Sequence, residues 1–160
     1  MERRTRRIIL GIGNPLRGDD GAGRLAARLL QQRLPRGAGI VELSGDGAEV
    51  LRYLQDAGEA FLIDACASGA APGAIHRFDA AREPLPQIAF SLSSHGFGAG
   101  EAIGLARALG VLPKRCIVYA IEGRSYALGA SLSAPVLAAV HKVAERLAGE
   151  IGKEALEPAF

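Results

Sequence analysis

The feature that most restricts the fold is an alternation, repeated along the chain, of short apolar runs with segments of helical spacing. RIILGIG (7–13), GIVEL (39–43), AFLID (60–64), AIHRFD (74–79) and RCIVYAIEG (115–123) read as strands. Between the first two, Ala22, Ala26, Leu29, Leu30 and Leu34 recur at helical spacing, with Arg24, Arg28 and Arg33 among them. Further helices are expected over about 48–56, over about 98–109 and after Ser133, where positions 136, 140, 143 and 147 are apolar. AFLID is apolar up to its final Asp, as a central strand covered on both faces would be. The order β-α-β-α-β-β-α-β-α predicts an α/β fold. It is a three-layer αβα arrangement around a twisted, mostly parallel five-stranded sheet, formed by one domain over residues 1–160. The tail after Glu150 is expected to fray.

The first strand runs into GIGNPLRGDDGAG (11–23), which begins like a dinucleotide-binding loop. It lacks the third glycine of G-x-G-x-x-G, because Leu16 stands there, and Pro15 removes an N–H that a phosphate would use. Asp19 and Asp20 would also compete with a pyrophosphate for the helix N-terminus. A nucleotide site is therefore not expected. An Asp at a helix start is most often a cap, and Asp19 is read that way.

In parallel sheets, functional loops gather beyond the carboxyl ends of the strands. Three groups with metal-binding chemistry fall there: the Asp19–Asp20 pair after the first strand, Asp64 at the end of the third, and His95 in SLSSHGFG. Two carboxylates and an imidazole suit a divalent cation of borderline hardness, with positions left open for water and a substrate oxygen. Such an ion would polarise a carbonyl and acidify bound water. Each residue alone also has an ordinary structural reading. Glu122, at the end of the fifth strand, could rim the site. Asp46 is read as shaping a turn, and His76 and His141 as structural or solvated. Ser93 and Ser94 adjoin His95 but make no nucleophile elbow, since G-x-S-x-G is absent.

Four arginines, Arg3, Arg4, Arg6 and Arg7, crowd the first seven positions with Glu2. Residues 8–160 are left with 15 basic and 16 acidic side chains. So balanced a body, with eight aromatics and no Trp, argues against a nucleic-acid face. The early arginines are not followed by a signal-peptide apolar region, because Asn14-Pro15 interrupts it. No run reaches the ~18 apolar residues of a membrane span. Cys66 and Cys116, in apolar contexts, fit a reducing cytoplasm. With no C-x-x-C pair, no thiolate metal site is expected.

Taken together and in order, several segments resemble the [NiFe]-hydrogenase maturation endopeptidases. They are GIGNPLRGDDGAG, LIDA (62–65), PGAIHRFD (72–79), SSHGFGAGEAIGLARALG (93–110), and VYAIEG followed by LSAPV (118–136). The resemblance implies removal of a C-terminal extension from the precursor of the hydrogenase large subunit. It carries a metal site onto Asp20, Asp64 and His95, with Asp19 supporting or capping. The family has Glu or Asp at the position of Asp20. Ser44-Gly45 depart from its more familiar Asp-Gly. The implied cofactor is Ni2+ brought by the substrate, or a surrogate divalent ion, and it serves as recognition signal or Lewis acid. An aspartic-type scheme would instead use Asp20 and Asp64 as acid and base. A non-catalytic metal-checkpoint module on the same fold is the alternative. A cytoplasmic monomer is expected, with the precursor as partner.

Overall fold

The computed structural model describes residues 6–87, 89–90 and 96–156. The strands are β1 (Arg7–Ile12), β2 (Ile40–Leu43), β3 (Glu59–Ala67), β4 (Ile75–Asp79), β5 (Ala89–Phe90) and β6 (Arg115–Glu122). The helices are α1 (Ala22–Arg33), α2 (Gly47–Gln55), α3 (Ala99–Ala108) and α4 (Ala134–Leu156). A short 3-10 turn, Gly18–Gly21, precedes α1.

The sheet order is β2-β1-β3-β6-β4, parallel except that β4 runs antiparallel to β6. The two-residue β5 adds an antiparallel pairing to the end of β3, which the sequence did not suggest. Side chains along the strands alternate between two cores, as the period of two requires. Ile8, Leu10, Ala60, Leu62, Cys116 and Val118 pack with α2 and α3. Ile9, Phe61, Ile63, Ile117, Tyr119 and Ile121 pack with α1 and α4. Burial on both faces accounts for the apolar run of residues 60–63 in β3.

Helix α1 lies close against the sheet because Gly23 faces it. A Cβ at Gly23 would collide with the carbonyls of Ile12 and Ile63. On α4, Val136, Val140, Val143, Leu147 and Ile151 enter the core at helical spacing. Helix α4 continues past Glu150 to Leu156. Glu150 is itself an anchor. It accepts Tyr119 Oη at 2.5 Å, Arg77 Nε at 2.9 Å and Arg115 Nη2 at 3.3 Å. Burial alone would raise its pKa. The hydrogen bonds from Arg77 and Tyr119, with the charges of Arg77 and Arg115, hold it below the ordinary value.

Candidate functional site

The loop after β1 is built to present a carboxylate. Gly13 takes φ +141°, and any side chain there would strike the carbonyl oxygen of Asp20. Asn14 then closes a local turn, its Oδ1 accepting the Leu16 N–H at 2.9 Å while its own N–H donates to Asp20 Oδ2 at 3.0 Å. Asp20 is 3% exposed, and its other oxygen, Oδ1, is buried with no hydrogen-bond partner among the described residues. Burial pushes its carboxyl above the ordinary value, against the opposing pull of the Asn14 N–H and the Arg17 charge. Buried carboxylate oxygens are normally hydrogen-bonded, which sets this one apart.

Gly11 pairs with Ile63, so the chain leaves β1 level with Asp64, and the turn carrying Asp20 packs against β3. Asp64 is fully buried, and its Oδ1 accepts the Ala65 N–H at 2.8 Å. By strand alternation it shares the α2–α3 face with Leu62 and Cys66. His95, the third residue of the expected site, lies outside the described residues. Just beyond it, Phe97 packs against the α2–α3 core, and its carbonyl accepts the Gly47 N–H at 2.9 Å.

The capping role expected for Asp19 is not observed. Neither the 3-10 turn nor α1 has a side-chain cap. Asp19 instead reaches across to the segment that follows β6. Its Oδ2 accepts Arg124 N at 2.7 Å, Ser125 N at 3.1 Å and Ser133 Oγ at 2.9 Å, and its Oδ1 accepts Ser133 N at 2.7 Å. It therefore ties the β1 loop to the start of α4. Burial favours its neutral form, but the N–H groups of Ser133, Arg124 and Ser125 and the Ser133 hydroxyl outweigh that and lower its pKa. Asp46 is a helix cap rather than only a turn residue, accepting Ala48 N at 3.0 Å at the head of α2.

Glu122, read as a possible rim residue, is buried at the end of β6. Its Oε1 accepts Ser68 N at 2.8 Å and Gly69 N at 3.0 Å; its Oε2 accepts Ser68 Oγ at 2.7 Å and Cys66 Sγ at 3.2 Å. Burial would raise its pKa, but the Ser68 hydroxyl, the Cys66 thiol and the two N–H groups lower it. The Cys66 thiol is pushed well above its ordinary value, first by burial and then by Glu122. His76 stands nearby, with Nε2 at 3.6 Å from Glu122 Oε2, whereas His141 is exposed on α4. Sequence reasoning missed the meeting of Cys66, His76 and Glu122. The available signal was register: Cys66 pairs with Glu122 between β3 and β6, and His76 lies opposite Ala120.

A depression of about 850 Å3 at the opposite edge of the sheet is lined by Arg6, Arg33, Arg36 and apolar residues of β1 and α4. Its lining includes no carboxylate or imidazole. Among the described residues no helix is long and apolar enough to cross a membrane.

The family model for the hydrogenase maturation protease, HycI, matches residues 24–150, a span that contains Asp64 and His95 and begins just after Asp20. The chain is 29% identical over 134 residues to the hydrogenase expression/formation protein HoxM of Azotobacter vinelandii, covering 82% of this chain and 65% of that protein. It thus spans just under two thirds of that relative's length. A putative hydrogenase maturation protease of Methanocaldococcus jannaschii is 28% identical over 153 residues, covering 91% of this chain and 96% of that one. Among solved structures, the hydrogenase maturating endopeptidase HybD from E. coli superposes with a TM-score of 0.76 at 22% identity, covering 94% of each chain. That likeness concerns the fold. The [NiFe] hydrogenase maturation protease HybD from Thermococcus kodakarensis gives a TM-score of 0.68 at 28% identity, covering 90% of this chain and 99% of that one. With a family model matched over most of its length and the same fold throughout, this chain belongs to the hydrogenase maturation protease family.

Proposed function

We propose that this protein is an endopeptidase that removes the C-terminal extension of a nickel-loaded [NiFe]-hydrogenase large-subunit precursor. The observation that carries the reading is the orphaned Oδ1 of Asp20, buried beside the strand that bears Asp64. An oxygen desolvated without a partner has already lost its own hydration before a cation arrives. Oxygen donors with an imidazole suit Ni2+ or another borderline divalent ion.

In this reading the nickel is part of the substrate. Asp20, Asp64 and His95 would receive it, and the ion would serve there as the recognition signal or as a Lewis acid toward the scissile carbonyl. The chain's own contribution is positioning. The Asn14 N–H fixes Asp20 Oδ2 so that Oδ1 faces the site, and the Ala65 N–H orients Asp64. Asp19 holds the segment after β6 against the β1 loop, which keeps the site's wall in place. Leu16 and Leu128, 67% and 77% exposed, sit on those two joined segments, where Gly129 N donates to Leu16 O at 2.7 Å. They offer apolar contact beside the acidic pair for a docking precursor. The protein works as a monomer in the cytoplasm, where the precursor is assembled.

Intact-mass spectrometry of enzyme mixed with nickel-loaded precursor tests this. Loss of a C-terminal peptide is expected. A stable complex with both masses unchanged would instead assign a non-catalytic checkpoint.

A further inference from the structure

Cys66, His76 and Glu122 come from three strands and meet on one face of the sheet. One donor atom from each lies within 4.8 Å of the other two. The Cys66 Sγ to Glu122 Oε2 distance is 3.2 Å, and His76 Nε2 to Glu122 Oε2 is 3.6 Å. A tetrahedral ion with bonds of about 2.0–2.3 Å holds its ligands roughly 3.3–3.6 Å apart. Two edges of such a site are already formed.

We propose that Cys66, His76 and Glu122 form a second metal site, separate from Asp20 and Asp64, for a divalent transition ion of borderline softness such as Zn2+. Three further features support it. Ser68 and Gly69 fix the carboxylate of Glu122 through two N–H groups and a hydroxyl, the kind of outer support that metal-ligating carboxylates receive. His76 stacks on Phe78 with an interplanar angle of 7°, which orients its ring. Its Nε2 is buried without a hydrogen-bond partner among the described residues and stands beside Glu122. A plain thiol–carboxylate hydrogen bond accounts for Cys66 and Ser68 but not for the His76 nitrogen held 3.6 Å from the same carboxylate.

On binding, the S–H bond breaks and its proton passes to solvent, while the sulfur and the His76 and Glu122 donors bond the ion. Three protein ligands leave a fourth position for water. The side chain of His76 is 29% exposed, which gives the ion a way in. Asp64 lies two residues before Cys66 on β3, about 7 Å along the strand, so the two sites are neighbours.

The test is a Co2+ titration of the full chain, reduced with a phosphine, followed by absorption. A thiolate-to-cobalt charge-transfer band is expected in the wild type, in Cys116→Ser and in Asp64→Asn. It should vanish in Cys66→Ser. In His76→Gln the affinity should fall roughly tenfold or more, the loss that follows even when a residue supporting a ligand is removed. Thermal unfolding of each variant confirms that it is folded, and Zn2+ should raise the Tm of wild type and not of His76→Gln. No thiolate band at saturating Co2+, a band that survives Cys66→Ser, or an affinity unchanged in His76→Gln would each overturn the site. The outcome is independent of whether the protein cleaves a precursor.

Discussion

Asp19 grips Ser133 twice, by the backbone N–H at 2.7 Å and by the hydroxyl at 2.9 Å, although 114 residues separate them. The contact joins the loop that presents Asp20 to the first turn of α4. Asp19→Ala removes the acceptor for three backbone N–H groups, those of half-buried Ser133 and exposed Arg124 and Ser125. A loss of up to about 3 kcal/mol is expected, the upper end for hydrogen bonds to a charged group. In thermal unfolding that amounts to roughly 6–12 °C.

The same carboxylate gives the stability a pH dependence. The folded pKa of Asp19 is depressed, so its contribution is complete above the unfolded value near about 3.9. It is lost as pH falls through the lower folded value. Stability of the wild type should therefore drop below about pH 4 more steeply than that of Asp19→Ala. Denaturant midpoints measured across pH 2–6 would show the two curves converging on the acid side.

Asp20 has the opposite sign. Burial raises its folded pKa, so at neutral pH its charge opposes folding. Asp20→Asn keeps the acceptor for Asn14 N–H and removes the buried charge. Its stability at pH 7 should rise by about 1 kcal/mol, or roughly 2–4 °C in Tm, and the gain should shrink as pH falls. An unchanged or lower Tm at neutral pH would show that Oδ1 is satisfied in solution.

Gly13→Ala places a methyl group against the Asp20 carbonyl at a φ of +141°. A cost of about 2 kcal/mol or more is expected. Because the clash moves Asp20 itself, precursor processing should fall further than the stability loss explains, as kinetics on the folded fraction would reveal.

The fold was legible because burial on both faces writes itself into strand composition. AFLID could only be central, and positions 136, 140, 143 and 147 are all among the residues of α4 that enter the core. The family, too, could be read from ordered segments. Asp19 was misread because a rule about helix starts is local, whereas its partners lie 105 to 114 residues away. The absence of a C-x-x-C pair likewise said nothing about Cys66, His76 and Glu122. Those side chains come from three strands, and only their register brings them together. The two-residue β5 is too short to carry any period, so no pattern announced it.

The most direct test of the account's central claim is processing of nickel-loaded precursor by wild type, Asp20→Asn and Asp64→Asn, read by intact mass. The expected result is peptide release by the wild type only, with both variants folded. Release by both variants at the wild-type rate would contradict the assignment of Asp20 and Asp64 to the site.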